Sequence, residues 1–549
     1  MAEAHTHHHT HGAAHHAHHP AKPKFAMDRE FMVKLVLLAI VAYTFISSVA
    51  LVGGPSFFGD DNTYVGLASQ VVHGTYAENS YIFSIRPLQI FPIAFFYSFG
   101  INILASSMWD IISFTLTVLI AFLIGRELYS EYAGLMAAFL LAMFPLTAIL
   151  GTTISDDIPM MFINALAMLC LVYAVKGKSK WWYAALGASL IAGPLTTPEG
   201  FILIPIVVLF FIVEIVRGKI KLERDLLYFP IGVAVALALL AVFNYAYSGN
   251  PLITFTLNSQ YFSAVGQPNT TPSVNQDLNF YPQTMFTYNI LGSLASGSIS
   301  NLVAGINIFN YGKTGFYFYA LVIAVAFLAI KWERRAYIAV FWFVFGLLYL
   351  EFGPMHVGLS PFNYILSHRL DRFLTLIAVP LALCLAMAMA RAYESKLAAF
   401  KYSAIGISVF AIILLASTGL MITLFWHNIL MHQIYTQVQI GNYLSQLPNT
   451  TKIYFTGTFS NVLMYIGFNN LSRVYAYDGI KNCSDIPAGS YIIIPKYFTV
   501  FNLNYTPDPS RYCPQWQLVL DPQYPGPVDP VAEGASQYME GKLYYNPVT

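Results

Sequence analysis

Eleven stretches of this chain stay apolar for about 18–22 residues, the length a helix needs to cross the hydrocarbon core of a bilayer. They lie near 31–52, 105–125, 132–151, 157–175, 181–198, 200–216, 227–247, 313–330, 336–352, 370–390 and 403–426. Lipid offers backbone amides no partners, so each stretch must satisfy its own hydrogen bonds as a helix. Only 10% of the residues are charged, whereas a soluble protein carries about a quarter. The sequence therefore predicts a polytopic α-helical membrane protein with about eleven transmembrane helices. A net charge of +1 gives no sign of a nucleic-acid partner.

Basic residues set the expected orientation. Lys176, Lys178 and Lys180 follow the fourth run, and Arg217, Lys219, Lys221 and Arg224 follow the sixth. Lys331, Arg334 and Arg335 follow the eighth, and Arg391, Lys396 and Lys401 the tenth. An eleven-span count with a cytoplasmic N-terminus puts every one of these loops inside. It leaves a first outer loop at 53–104, a second large one at 248–312, and the C-terminal part outside. The Phe-rich run 88–103 is read as a helix lying in the membrane surface, because a span there would move the basic loops outside. The Asn-x-Ser/Thr patterns at Asn269, Asn449, Asn470, Asn482 and Asn504 all fall in segments assigned outside.

Three regions follow. Residues 1–30 form a cytoplasmic tail holding nine of the fourteen histidines, too polar to fold, with spacing less regular than a plain affinity tag. Residues 31–426 form the transmembrane module. Residues 427–549 read as a small extracytoplasmic α/β domain. Its strand-like runs are Lys452-Ile-Tyr-Phe-Thr, Arg473-Val-Tyr-Ala-Tyr, Tyr491-Ile-Ile-Ile-Pro and Trp516-Gln-Leu-Val-Leu, and 437–446 and 460–466 suit helices. The tail from Pro522 reads as loop. Cys483 and Cys513 can pair in an oxidising space, while Cys170 and Cys384 sit in apolar runs as inert core residues.

The candidate chemistry gathers at the outer ends of spans. Asp60 and Asp61 follow the first span. One suits a general base, and the other suits orienting an acceptor or holding a divalent metal; both also suit the start of a helix over the next dozen residues. Arg86 stands alone in an apolar stretch, where it meets an anion such as a lipid phosphate or snorkels to the headgroups. Asp156 and Asp157, followed by Pro159, make good helix-start chemistry and can also line the same cavity. Glu199 has the same two readings. His368, Arg369 and Arg372 open the tenth span; the two arginines share a helix face, and Asp371, lipid headgroups or a substrate phosphate can hold them. Tyr64 joins these as a cavity-lining candidate. There is no Walker-type loop, no Rossmann glycine pattern, and no zinc-ligand spacing outside the His-rich tail. An enzyme acting on an outer face without a nucleotide site needs an activated donor that reaches that face, such as a lipid-linked phosphosugar.

Asp60-Asp61 with Tyr64 and Ala68, Arg86-Pro87-Leu88, Phe99-Gly100, Gly125-Arg126-Glu127-Leu128-Tyr129 and Ser155-Asp156-Asp157-Ile-Pro159 together resemble the GT-C glycosyltransferases. The branch most like this chain is that of the protein O-mannosyltransferases and lipid A aminoarabinose transferases. The resemblance is good over residues 31–200 and looser over 369–380. It implies a large first outer loop with an essential acid, interfacial helices in that loop, a polyprenyl- or dolichyl-phosphate sugar donor, and inverting transfer to an extracytoplasmic acceptor, protein or lipid/glycan. It makes Asp60 or Asp61 the base and Arg86, Arg369 and Arg372 candidates for the donor phosphate. Protein mannosyltransferases commonly carry Asp-Glu where this chain has Asp60-Asp61, so the acceptor does not transfer. The Trp-Trp-Asp-Tyr-Gly motif expected of an oligosaccharyltransferase catalytic subunit is missing. The main alternative is a transporter or flippase for a lipid-linked or anionic solute; a non-catalytic scaffold is a third reading. Against transport, the charged residues collect at span ends and the second half does not repeat the first.

Overall fold

The structure is a computed structural model describing residues 29–52, 61–77, 82–218, 224–265, 316–330, 336–352, 371–394, 398–455, 473–476, 483–495, 513–525 and 541–548. Its helices in chain order are α1 (Arg29–Ala50), α2 (Asp61–Val72), α3 (Pro87–Tyr97), α4 (Ile103–Leu128), α5 (Glu131–Ala142), α6 (Pro145–Leu150), α7 (Asp157–Val175) and α8 (Trp181–Ala192). They continue as α9 (Leu203–Val216), α10 (Tyr228–Ser248), α11 (Ile253–Val265), α12 (Tyr317–Ile330), α13 (Tyr337–Phe352), α14 (Ala378–Tyr393) and α15 (Ala398–Ser445). Among the described residues, seven helical stretches are long and apolar enough to cross a membrane: Arg29–Ala50, Ile103–Leu128, Asp157–Val175, Pro198–Val216, Arg224–Ser248, Arg372–Tyr393 and Ile405–Asn428. The chain is a multi-pass membrane protein.

The other expected spans are helical but shorter. The run 132–151 breaks at Phe144, where α5 gives way to α6 with Pro145 at its first turn; a proline there removes the amide that would continue the ladder. The run 181–198 is α-helical only to Ala192, and Gly193-Pro194 turns it into a 3-10 stretch. Helices α12 and α13 have 14 and 16 residues. The 11 residues of α3 reach about 16 Å, too short for the core of a bilayer and consistent with a helix lying along its surface.

Apolar patterning decides the layers. Residues 373–388, which include most of α14, are all buried, and α14 contacts α5, α12, α13 and α15. By contrast α1 and α10 bury little of themselves and turn apolar side chains such as Leu38, Ile46, Leu239 and Val242 outward, as lipid-facing helices do. Lipid gives no hydrophobic drive between helices, so close contact relies on small residues. Helices α4 and α5 meet at Gly125 and Gly134, where a Cβ on Gly134 would run into the Phe122 carbonyl. Helices α8 and α10 meet at Gly232, where a Cβ would strike the Ala184 carbonyl.

The C-terminal part carries a five-stranded sheet of β1 (Ile453–Phe455), β2 (Val474–Ala476), β3 (Ser490–Pro495), β4 (Gln517–Leu520) and β5 (Gly541–Asn546), in the order β2-β1-β3-β5-β4. The β2-β1-β3 half is parallel and the β3-β5-β4 half antiparallel. Four strands coincide with the strand-like runs. The fifth corrects the reading of the tail: 541–546, taken as loop, pairs with β3 over six positions. The expected helix at 460–466 lies outside the described residues, as does the tail 1–28. One face of the sheet packs Ile453, Phe455, Ile493 and Leu543 onto Ile440 and Leu444 of α15. The other face covers Trp516 and the Cys483–Cys513 disulfide. Cys170 and Cys384 are free and buried. The sheet thus rests on a helix that begins in the membrane module, and the boundary drawn at 427 falls within that helix.

Replacing Gly134 by Leu forces α4 and α5 apart and should lower thermal stability in detergent by about 1–3 kcal/mol, read by differential scanning fluorimetry; an unchanged melting temperature would contradict the close approach. The disulfide closes a loop of 30 residues. Replacing both cysteines by serine should cost about 3 kcal/mol, read as protease sensitivity of the sheet.

Candidate active site

Three connections on one membrane face converge. The first follows α1 and contains α2 and α3. The second is the segment between α6 and α7. The third is the 3-10 stretch Asp371–Ile377 leading into α14. Helices α2 and α3 have a small core of their own, in which Tyr64, Ala68, Ile90 and Ile93 are fully buried, and Ile154 of the second connection plugs into it. Tyr97 ties α3 to α4 through a 2.6 Å hydrogen bond with Ser106; burial pushes its phenol well above its ordinary range, against that hydrogen bond. It therefore acts only as a neutral hydrogen-bonding group.

The centre is a buried charge contact. Arg86 sits just before Pro87 opens α3 and is 7% exposed. Its Nη1 donates to Asp156 Oδ2 at 2.7 Å and also reaches the Tyr64 hydroxyl. Tyr64 Oη donates to the same Asp156 oxygen at 2.9 Å. The guanidinium lies over the Phe83 ring at 4.5 Å, a face that attracts cations. From the other side Arg372 Nη1 stands 4.0 Å from Asp156 Oδ1, and its Nε stands 3.5 Å from Asp157 Oδ2. Asp157 starts α7 and is braced by Ser155, whose Oγ donates to Asp157 Oδ2 at 3.2 Å and accepts from the Asp157 amide at 3.3 Å.

Asp61 opens α2 and is 5% exposed; a carboxylate suits the positive end of a helix. It lies within electrostatic range of Asp110, a fully buried residue of α4. Glu199 accepts from the Thr197 hydroxyl and lies within range of Asp157. Of the predicted site residues, the structure therefore gathers Asp61, Tyr64, Arg86, Asp156, Asp157, Glu199 and Arg372. Asp60, His368 and Arg369 lie outside the described residues. Among the described residues no group of three His, Cys, Asp or Glu side chains is set to ligate a metal ion. Sequence reasoning passed over Asp110 and Phe83. Asp110 had a signal: an acid inside a long apolar helix, flanked by Ser106, Ser107 and Ser113.

The arrangement holds the Asp156 carboxylate between two guanidinium groups and leaves the Arg372 side chain partly exposed. Residues 87–245 match the sequence model of the dolichyl-phosphate-mannose-protein mannosyltransferase family. Curated protein sequences yield no match. Among solved structures, the chain is similar to ArnT from Cupriavidus metallidurans bound to undecaprenyl phosphate, with TM-score 0.54 and 13% identity, covering 95% of this chain and 99% of that one. It is also similar to the Archaeoglobus fulgidus oligosaccharyltransferase tethered with an acceptor peptide, with TM-score 0.50 and 14% identity, covering 84% of this chain and 69% of that one. A further similarity is to the same archaeal enzyme in complex with an inhibitory peptide and a dolichol-phosphate, with TM-score 0.50 and 13% identity, covering 84% of this chain and 69% of that one. The chain has the GT-C membrane-glycosyltransferase fold.

Replacing Arg86 by Gln leaves Asp156 buried without its nearest cation. Thermal stability should fall by about 3 kcal/mol, and the R86Q/D156N double variant should recover part of that loss. Strictly additive losses in a double-mutant cycle would show that the two groups are not coupled.

Proposed function

We propose that this GT-C chain is an integral-membrane glycosyltransferase that moves a sugar from a polyprenyl- or dolichyl-phosphate carrier to an acceptor outside the cytoplasm, with inversion. The observation that carries the reading is the buried Arg86–Asp156–Tyr64 contact, flanked by Arg372, with Asp61, like Asp156, within electrostatic range of Asp110. The likeness to proteins bound to undecaprenyl phosphate and dolichol-phosphate supports the donor class, as an analogy of fold. The matched mannosyltransferase family supports a transferase acting on a lipid-phosphate sugar. The basic loops support a cytoplasmic N-terminus and an extracytoplasmic site and sheet.

In this mechanism the acceptor hydroxyl or amine attacks the anomeric carbon from the side opposite the carrier phosphate. The new glycosidic bond forms as the bond from that carbon to the phosphate oxygen breaks. The acceptor proton passes to Asp61, and the carrier leaves as a phosphate monoester. That leaving group is already stable as an anion, so no strong acid is needed. Arg86 and Arg372 stabilise it; each guanidinium has five donors in a planar fork, suited to phosphate oxygens. Arg372 is 28% exposed at its side chain, which leaves an edge for a lipid headgroup to approach. Asp156 and Asp157 hold both cations in place before the donor arrives. Asp60 shares the base assignment as the neighbouring carboxylate.

Replacing Asp61 by Asn should cut turnover by about 10²–10⁴-fold with little change in the melting temperature. The assay supplies purified protein in lipid with radiolabelled polyprenyl-phosphate sugars and a membrane extract, and follows label into protein or lipid. Unchanged transfer by the D60N/D61N double variant would overturn the base assignment. Movement of solute across vesicles with no covalent product would favour a transporter.

A further inference from the structure

We infer that Asp110 is a positioning residue, which fastens the second connection so that Asp156 can hold Arg86; this rests on the glycosyl-transfer reading of the site. The amides of Gly151, Thr152 and Thr153 bond back onto the last turn of α6, but Ser155 lies beyond that turn and before α7, so its amide needs a partner from elsewhere. The Ser155 amide finds one 45 residues away, donating to Asp110 Oδ1 at 2.9 Å. Asp110 has no exposed surface, and it sits eight positions into α4, the 26-residue span that packs on both α5 and α7. Its anchor is thus part of the rigid membrane module rather than of the loops. The next residue after Ser155 is Asp156, whose Oδ2 receives both Arg86 and Tyr64.

The chemistry of the side chain points the same way. Asp110 Oδ2 has no hydrogen-bond partner among the described residues. An unbridged backbone amide can be satisfied by any fixed acceptor, and an asparagine carbonyl would do so without placing a carboxylate in a dry interior. The tether itself therefore needs only the oxygen at Oδ1. Substitutions can separate that oxygen from the charge. Alanine removes both, while asparagine keeps the acceptor and removes the charge.

The experiment compares D110A and D110N with the wild type in the transfer assay, and adds direct binding of sugar-free polyprenyl phosphate to each in detergent. D110A should raise the donor KM and the Kd for polyprenyl phosphate about tenfold or more, the effect of losing one buried hydrogen bond, with a smaller change in kcat. D110N should restore both constants to within about threefold of the wild type on the same grounds, with a melting temperature no lower than the wild type. Should D110A fail to purify folded, D110S takes its place, since the serine hydroxyl falls short of the Ser155 amide. Wild-type constants in D110A, or equal impairment in D110A and D110N, would overturn the tether. If the wild-type protein itself neither transfers sugar nor binds polyprenyl phosphate, the glycosyl-transfer reading falls instead.

Discussion

A guanidinium and a carboxylate shut away from water hold this site together. Either alone would be expensive to bury. Arg86 belongs to the first connection and Asp156 to the second, so neither connection can reach its native conformation without the other. Tyr64 adds a hydroxyl to the same carboxylate oxygen and brings α2 into the bargain. Arg372 then joins from the entrance to α14, the helix with the most completely buried surface. Ion pairing across three connections does here what a hydrophobic core does in a soluble domain. It makes their positions mutually dependent.

That dependence explains why the membrane module can be built from helices of unequal length. A bilayer asks only that backbone amides be satisfied and lipid-facing surfaces be apolar. Helices such as α5 and α8 stop short at proline or glycine-proline breaks without exposing unsatisfied ladders to lipid, because neighbours cover them. The space gained at the ends of the spans is where the polar groups collect. Close glycine contacts, such as Gly134 against the Phe122 carbonyl, bring α4 and α5 near enough for α4 to serve as a fixed post. Asp110 projects from that post towards the segment carrying Asp156.

Much of this was legible in the sequence, and the reasons are physical. Apolar runs reveal membrane helices because lipid tolerates little else: among the described residues each run contains helix, and seven helical stretches are long and apolar enough to span. Acids and arginines at span ends stood out because charge is rare in such a chain. Their convergence was not legible: Asp61, Arg86, Asp156 and Arg372 are far apart in sequence, and nothing local says which face of the bundle each shares. Asp110 did not stand out because it lies inside an apolar run rather than at a span end, although an acid in a buried helix is the costlier placement. The strand Gly541–Asn546 was missed because its neighbourhood is rich in proline and glycine, and its pairing partner lies some 50 residues earlier.

The helix Ala398–Ser445 runs for 48 residues without interruption. Its apolar stretch ends at Asn428, and the residues that carry the sheet begin at Ile440. Twelve residues of helix between those points measure about 18 Å. The ring of His427 bonds the backbone of Leu51, where α1 ends, and Asn428 bonds the hydroxyl of Tyr524. The rod is therefore pinned at its base as well as at its tip. The sheet thus takes its setting from the length of that rod: one residue added to the helix between Asn428 and Ile440 would shift the sheet by about 1.5 Å and turn it by about 100°.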